Sequence, residues 1–235
     1  MQQFIFSFIM LVFYFSASLA QNKLPATATE LIKIMHAKYF HGPCKTYSFS
    51  QKNTLYRNDS IVGNSEWHEV IQFPDKFKIN FGDELKGNFV VFRNDSALSF
   101  KENKLTKMRP DSNTLLLLIG GMYYRNIEDV LKRLNNAGYK LDVVSEQPYN
   151  FRMVYIIGAR KNDLLSNQIW VDKRTYKILR IIEKMKSADM MDMRFEGHQK
   201  NCKGFVETKV SFRRNGKLEQ VEEYYNIKEL KDFPQ

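Results

Sequence analysis

The chain has 235 residues, with 36 Lys and Arg against 26 Asp and Glu, for a formal net charge of +10. An apolar fraction of 43% with 14% aromatics supplies a sizeable core and excludes a disordered chain. Eleven Gly and six Pro exclude collagen-like and Pro/Gly-rich low-complexity chains, and two Cys exclude a disulfide-dense miniprotein or a Cys-rich zinc module.

Residues 1–20 hold no Lys, Arg, Asp or Glu, and Phe4 to Phe15 form a nearly unbroken apolar run. Ser18 and Ala20 then place small residues at the −3 and −1 positions of a cut before Gln21. This is the shape of a secretory signal peptide, here with only the terminal amine as positive charge. The run is short for a membrane span, which needs about 20 residues. The expected organisation is a signal peptide over 1–20, cleaved after Ala20, and a single soluble, exported domain over 21–235.

The domain opens with a capping-box pattern, Thr27 to Glu30, followed by Leu31, Ile34, Met35 and Tyr39 at helical spacing. Gly42-Pro43 ends this helix. Strand signals follow at 46–51, 66–73, 76–81, 88–93 and 97–101. In the third of these Phe77, Ile79 and Phe81 share one side of the pleat and Lys76, Lys78 and Asn80 the other. Arg-Asn-Asp-Ser occurs twice, at 57–60 and 93–96, and reads as a hairpin turn. Both copies also spell an N-x-Ser acceptor, at Asn58 and Asn94.

The middle of the chain changes character. Residues 111–114 can cap a segment of four leucines and Ile119, which Gly120-Gly121 breaks. Ile127, Val130, Leu131 and Leu134 then mark a second amphipathic helix over about 126–136, stopped by Gly138. The leucine segment reads either as a buried core helix or as a mobile apolar lid hinged at the paired glycines. Beyond it, strands are expected at 139–144, 151–158, 167–172, 177–183, 190–195, 204–212 and 217–225. The last two are joined by Asn215-Gly216, the favoured two-residue turn. The fold class is mainly β (α+β), one antiparallel sheet of about ten or eleven strands with three helical segments.

No catalytic motif stands out. None of His36, His41, His68 and His198 forms H-E-x-x-H, and no G-x-S-x-G, Walker loop or G-x-G-x-x-G occurs. No cofactor, metal or catalytic residue is assigned. His41, Cys44, His198 and Cys202 could compose a Cys2His2 site if their segments meet. A disulfide between Cys44 and Cys202 accounts for the same cysteines, and in an oxidising compartment would stabilise by about 4–5 kcal/mol. Asp189, Asp192 and Glu196 read as solvated charge. The basic excess is scattered, fitting either a solvated surface or attraction to anionic lipid head groups, and no nucleic-acid fingerprint accompanies it.

What remains is apolar surface in excess of what three short helices cover. A curved sheet so covered leaves a concavity suited to acyl chains, with burial contributing roughly 0.8 kcal/mol per methylene. The expected lining is Phe77, Ile79, Phe81, Phe89, Val91, Met153, Tyr155 and Ile157, with Leu116, Leu117 and Ile119 from the lid. The pleat shows which of these share a face, and leaves open which face is concave.

The order of elements resembles the LolA-like outer-membrane lipoprotein-sorting proteins of Gram-negative envelopes. The resemblance rests on the signal peptide, the helix Ala28–Tyr39, the strand from Thr46, Phe73-Pro-Asp-Lys-Phe77, the leucine-rich insertion, residues 154–158, Gln168-Ile-Trp-Val-Asp-Lys173 and residues 178–180. It implies an incomplete antiparallel β-barrel with helices as a lid over an apolar cavity. It also implies a periplasmic location and non-catalytic carriage of lipoprotein acyl chains or another lipid across the periplasm toward the outer membrane, with inner- or outer-membrane transport components as partners. A protein-interaction or stress-sensing module on the same fold, without lipid cargo, and an exported hydrolase are the readings from other classes.

Overall fold

The computed structural model describes residues 24–111 and 114–234, so the expected signal peptide and its cleavage site lie outside the described residues. The first helix, α1 (Ala28–Tyr39), starts where Thr27 Oγ1 accepts from the Glu30 N–H at 3.1 Å, while the Glu30 carboxylate accepts from the Ala26 N–H at 2.7 Å. Six strands then meander: β1 (Thr46–Arg57), β2 (Ser60–Gln72), β3 (Lys76–Phe81), β4 (Phe89–Arg93), β5 (Ser96–Lys101) and β6 (Lys104–Pro110). A short α2 (Leu115–Leu118), a 3-10 turn over Gly121–Tyr124 and α3 (Ile127–Asn136) lead to β7 (Val144–Tyr149), β8 (Arg152–Ile157), β9 (Gln168–Asp172), β10 (Ile178–Lys184) and β11 (Met190–Glu196). A small hairpin, β12 (Gln199–Asn201) and β13 (Gly204–Val206), precedes β14 (Lys209–Arg214) and β15 (Lys217–Glu229).

Thirteen of these strands form one antiparallel sheet in the order β6-β5-β4-β3-β2-β1-β15-β14-β11-β10-β9-β8-β7, and β12 pairs only with β13. The sheet does not close, so the incomplete barrel is the architecture, with more strands than the sequence suggests. The extra strand β6 is exposed along its whole length and has no apolar alternation to announce it. As an edge strand it carries Lys104, Lys107, Arg109 and Pro110, which discourage pairing with another chain. Residues 139–144 are the opposite case, because their apolar spacing belongs to packing rather than to a pleat. The Tyr139 N–H donates to the Leu134 carbonyl at 3.1 Å, closing α3 around Gly138, whose φ is +85°. The buried Tyr139 side chain then donates to Glu183 at 2.6 Å.

The hairpin corners share one solution. Asn58-Asp59, Asn94-Asp95, Glu102-Asn103, Asn150-Phe151 and Asn215-Gly216 all have positive φ at both residues. Two left-handed residues match the right-handed twist of the flanking strands. The repeated Arg-Asn-Asp-Ser segments are therefore turns, with Asn tolerating the backbone angle at modest cost.

The core divides by sheet face. On the concave side of β8 to β11, Leu31, Ile32 and Met35 of α1 and Val130 and Leu134 of α3 pack onto Tyr155, Ile157, Ile169, Val171 and Ile181. On the convex side Trp170 lies beneath the Arg180 guanidinium, 4.5 Å from ring to charge, and Arg180 makes a two-pronged pair with Asp192 at 2.7 and 2.8 Å. Asp192 is thus a buried partner of Arg180 and Arg194, not solvated charge. Asp189, by contrast, sits at the surface against Arg214 and Asn215. Truncating one member of a buried pair strands the other charge, so Asp192→Ala is expected to lower stability by about 3–5 kcal/mol in denaturant titration.

Candidate functional site

The helices cover only half of the concave face. Over β1 to β4 the cover is α2 on one side and the β12–β13 hairpin on the other, and between them lies a cavity of about 200 Å³. That is below the volume of most small-molecule sites, roughly 300–1,000 Å³, and suits a narrow apolar chain. The register decides its lining. Tyr47↔Ile71, Phe49↔Glu69 and Gln51↔Trp67 pair β1 with β2, while Ile71↔Phe77 and Glu69↔Ile79 pair β2 with β3. Alternate residues of each strand therefore meet on one surface, which Phe92, Phe195 and Phe212 extend from β4, β11 and β14.

Phe77, Ile79, Leu116 and Ile119 are brought together in this lining. Phe81 stands on the same face further out, edge-on to Trp67 at 5.1 Å and more than a third exposed. Phe89 and Val91 lie elsewhere. Their partners across β3 are Asn80 and Lys78, so they belong to the opposite face, in a groove with Leu98, Phe100 and Phe233. A run of apolar residues such as Phe89-Val90-Val91-Phe92 does not disclose its facing residues, and here it is Phe92 that reaches the cavity. Tyr155 and Ile157 are on the concave side but sealed under α1 and α3, and Met153 is exposed at the start of β8. Leu117 turns into the helix core and borders a separate polar groove.

Gly120-Gly121 does not have the surroundings of a hinge. A Cβ at Gly120 would lie 2.3 Å from the Phe73 ring, and one at Gly121 would lie 2.8 Å from the backbone oxygens of both Leu116 and Pro74. The pair lets the leucine segment press against the Phe73-Pro74 turn and thereby fixes the cavity wall. Cys44 and Cys202 form a disulfide with Cα atoms 5.1 Å apart, and the Lys203 N–H donates to the Gly42 carbonyl at 2.8 Å. Both contacts hold the β12–β13 hairpin against the start of β1, so Val206 and Glu207 face the cavity. The same sulfur atoms cannot serve a Cys2His2 metal site while bonded to each other.

Three acids sit in this apolar wall: Glu69 from β2, Glu207 after β13 and Glu222 from β15. Glu222 accepts from Gln220 Nε2 at 2.8 Å and from the Tyr224 hydroxyl. Glu69 is 3% exposed, and among the described residues no hydrogen bond acts on its carboxylate. Burial lifts the carboxyls of Glu207 and Glu222 to about 7. Burial, then the nearby Glu222 charge, lifts Glu69 well above the usual carboxylate range. Burial and these same carboxylates also raise the Tyr47 and Tyr224 hydroxyls. The strand alternation held the signal for two of the acids. Glu69 lies between Trp67 and Ile71, and Glu222 lies two residues from Tyr224, so each shares a face with large apolar neighbours. Glu207 carried no such mark, because the hairpin that delivers it is irregular.

Two outcomes follow. Gly121→Ala should lower stability by about 1–3 kcal/mol in denaturant titration, since the new methyl meets backbone on both sides. Glu207 and Glu222 hold protons in the folded state that the unfolded chain gives up near 4.5, so the stability they confer is complete below that pH and lost as pH rises through about 7. Each accounts for on the order of 3 kcal/mol over that window. Thermal melts should therefore show Tm falling from pH 5 to pH 8, with a flatter profile in Glu222→Gln.

No family model matches the chain, and no curated protein matches it in sequence. Solved structures match it in fold. A DUF1329 family protein from Desulfovibrio piger superposes with a TM-score of 0.60 at 14% identity, over 88% of this chain and 93% of that one. A LolA superfamily protein from Nitrosomonas europaea gives 0.59 at 10% identity, over 89% and 96%. A putative outer-membrane lipoprotein-sorting protein domain from Vibrio parahaemolyticus gives 0.60 at 9% identity, over 87% and 93%. The open thirteen-strand sheet with helices on its concave face is a LolA-like fold.

Proposed function

We propose that the protein is a non-catalytic, exported carrier that holds lipoprotein acyl chains or another lipid in the concave cavity, for transfer toward the outer membrane. The observation that carries this reading is the cavity itself, walled by aromatic and aliphatic side chains on a face that the helices leave uncovered. Twelve buried methylenes would contribute roughly 10 kcal/mol before the costs of association are subtracted. The solved structures of similar fold include one described as a lipoprotein-sorting domain, which agrees with such a use. The formal charge of +10 would favour approach to anionic head groups during loading or delivery.

The test is to purify residues 21–235, extract them with organic solvent and search the extract by mass spectrometry. An acylated species near stoichiometric amount is expected, and should be lost in Leu116→Asp, which puts a charge into the cavity wall. Circular dichroism checks that this variant remains folded. A lipid-free, fully folded wild-type protein would count against the carrier and favour an interaction module on the same fold.

A further inference from the structure

The carrier reading says nothing about the polar end of the cargo, and the cavity's three acids do. Glu69, Glu207 and Glu222 come from three separate segments, yet all line the one apolar cavity. Glu69 is 97% buried within its wall, and among the described residues only burial and the Glu222 charge act on its carboxylate, with no hydrogen bond. No Lys or Arg contributes to the charges acting on any of the three. An ionised carboxylate only accepts hydrogen bonds, and burying it without a cationic or donor partner is costly.

We propose that the cavity takes a cationic amphiphile, with its apolar chain along the aromatic walls and a protonated amine head at Glu69, Glu207 and Glu222. This rests on the carrier reading of the same cavity. An ammonium group brings a full charge in a compact head, and so offsets acids that the protein itself leaves without a counter-ion, bonding one carboxylate while the others act through their charge. An anionic head would meet like charge in a desolvated site, which is strongly unfavourable. A metal ion fits less well. Among the described residues the group of three ligand-type atoms within 4.8 Å of one another is Cys44, Cys202 and Glu229, whose sulfurs form the disulfide, and the three cavity acids do not converge in this way.

The other titratable groups facing the acids are few. Tyr47 comes from β1, Tyr224 from β15, and Asp111 from the segment ahead of α2, while β3, β4, β11, β14 and α2 present apolar side chains. Glu207 also borders a smaller pocket that contains Tyr39, Tyr123, Tyr176, Lys177 and His198. Burial raises the carboxyls of Glu207 and Glu222 to about 7, so an amine head is held by the ionised forms of these two at pH 8 and loses that hold as they protonate toward pH 5.5.

Decylamine, decanol and decanoate, matched in chain length, separate head from tail. Binding is read by calorimetry and by the fluorescence of Trp67, which lines the cavity. At pH 8 decylamine should bind at least tenfold more tightly than decanol, and decanoate more weakly than either. The amine's advantage should shrink about tenfold at pH 5.5, where decylamine remains a cation. It should vanish in the triple variant Glu69→Gln, Glu207→Gln, Glu222→Gln, which should still bind decanol. Equal binding of decanol and decylamine by the wild type at pH 8, or an advantage insensitive to pH, overturns the head-group assignment and leaves the carrier standing. Failure of all three to bind overturns both. Should the triple variant not fold, the wild-type comparison across pH decides alone.

Discussion

A sheet of thirteen strands offers more concave surface than one long helix, one of ten residues and a single leucine turn can cover, and the molecule is arranged around that shortfall. Hydrophobic burial demands that an apolar sheet face be covered. Here α1 and α3 meet the demand over β8 to β11, where Ile157, Val171 and Ile181 are completely buried. Over β1 to β4 the same kind of surface is only partly covered. The β12–β13 hairpin and the leucine segment close over it from either side, and the space left beneath them is the cavity.

Charge is distributed against the trend of the surface. The exterior carries the basic excess, while the uncovered interior carries acids that no basic residue offsets. Apolar replacements at Glu69 and Glu222 would pack into the wall without this desolvation cost. Retaining acids there is a departure from the stability optimum, and departures of that kind concentrate where a protein binds or reacts. On the convex face the buried Asp192 is treated differently, since Arg180 and Arg194 satisfy it in full view of Trp170 and Tyr149. The contrast within one sheet separates a structural acid from a functional one by whether a partner is supplied.

Much of the architecture was legible because period and turn chemistry act locally. Thr27, Gly138 and Asn215-Gly216 each fix a backbone event within a few residues, and each marks its element correctly. The facing of strands was legible where polar and apolar residues alternate, as at Phe77 and Ile79, and illegible in the unbroken apolar run that holds Phe89 and Val91. Strand β6 escaped because its place in the sheet is secured by backbone pairing to β5 and not by side-chain burial. Tyr155 and Ile157 share the concave side with the cavity residues, but which part of that side the helices occupy is a long-range packing outcome that no local pattern encodes. The same holds for Glu207, placed by a cross-link between residues 158 positions apart.

The β12–β13 hairpin pairs with no strand of the large sheet, so side chains and one covalent bond hold it in place: Gly204 lies against Pro43, Val206 packs among Tyr47, Phe49 and Phe73, and Cys202 is bonded to Cys44. The sheet is held by its own hydrogen-bond ladders, which no thiol chemistry touches. Reduction of the disulfide would therefore act on one wall of the cavity and leave the sheet's ladders intact.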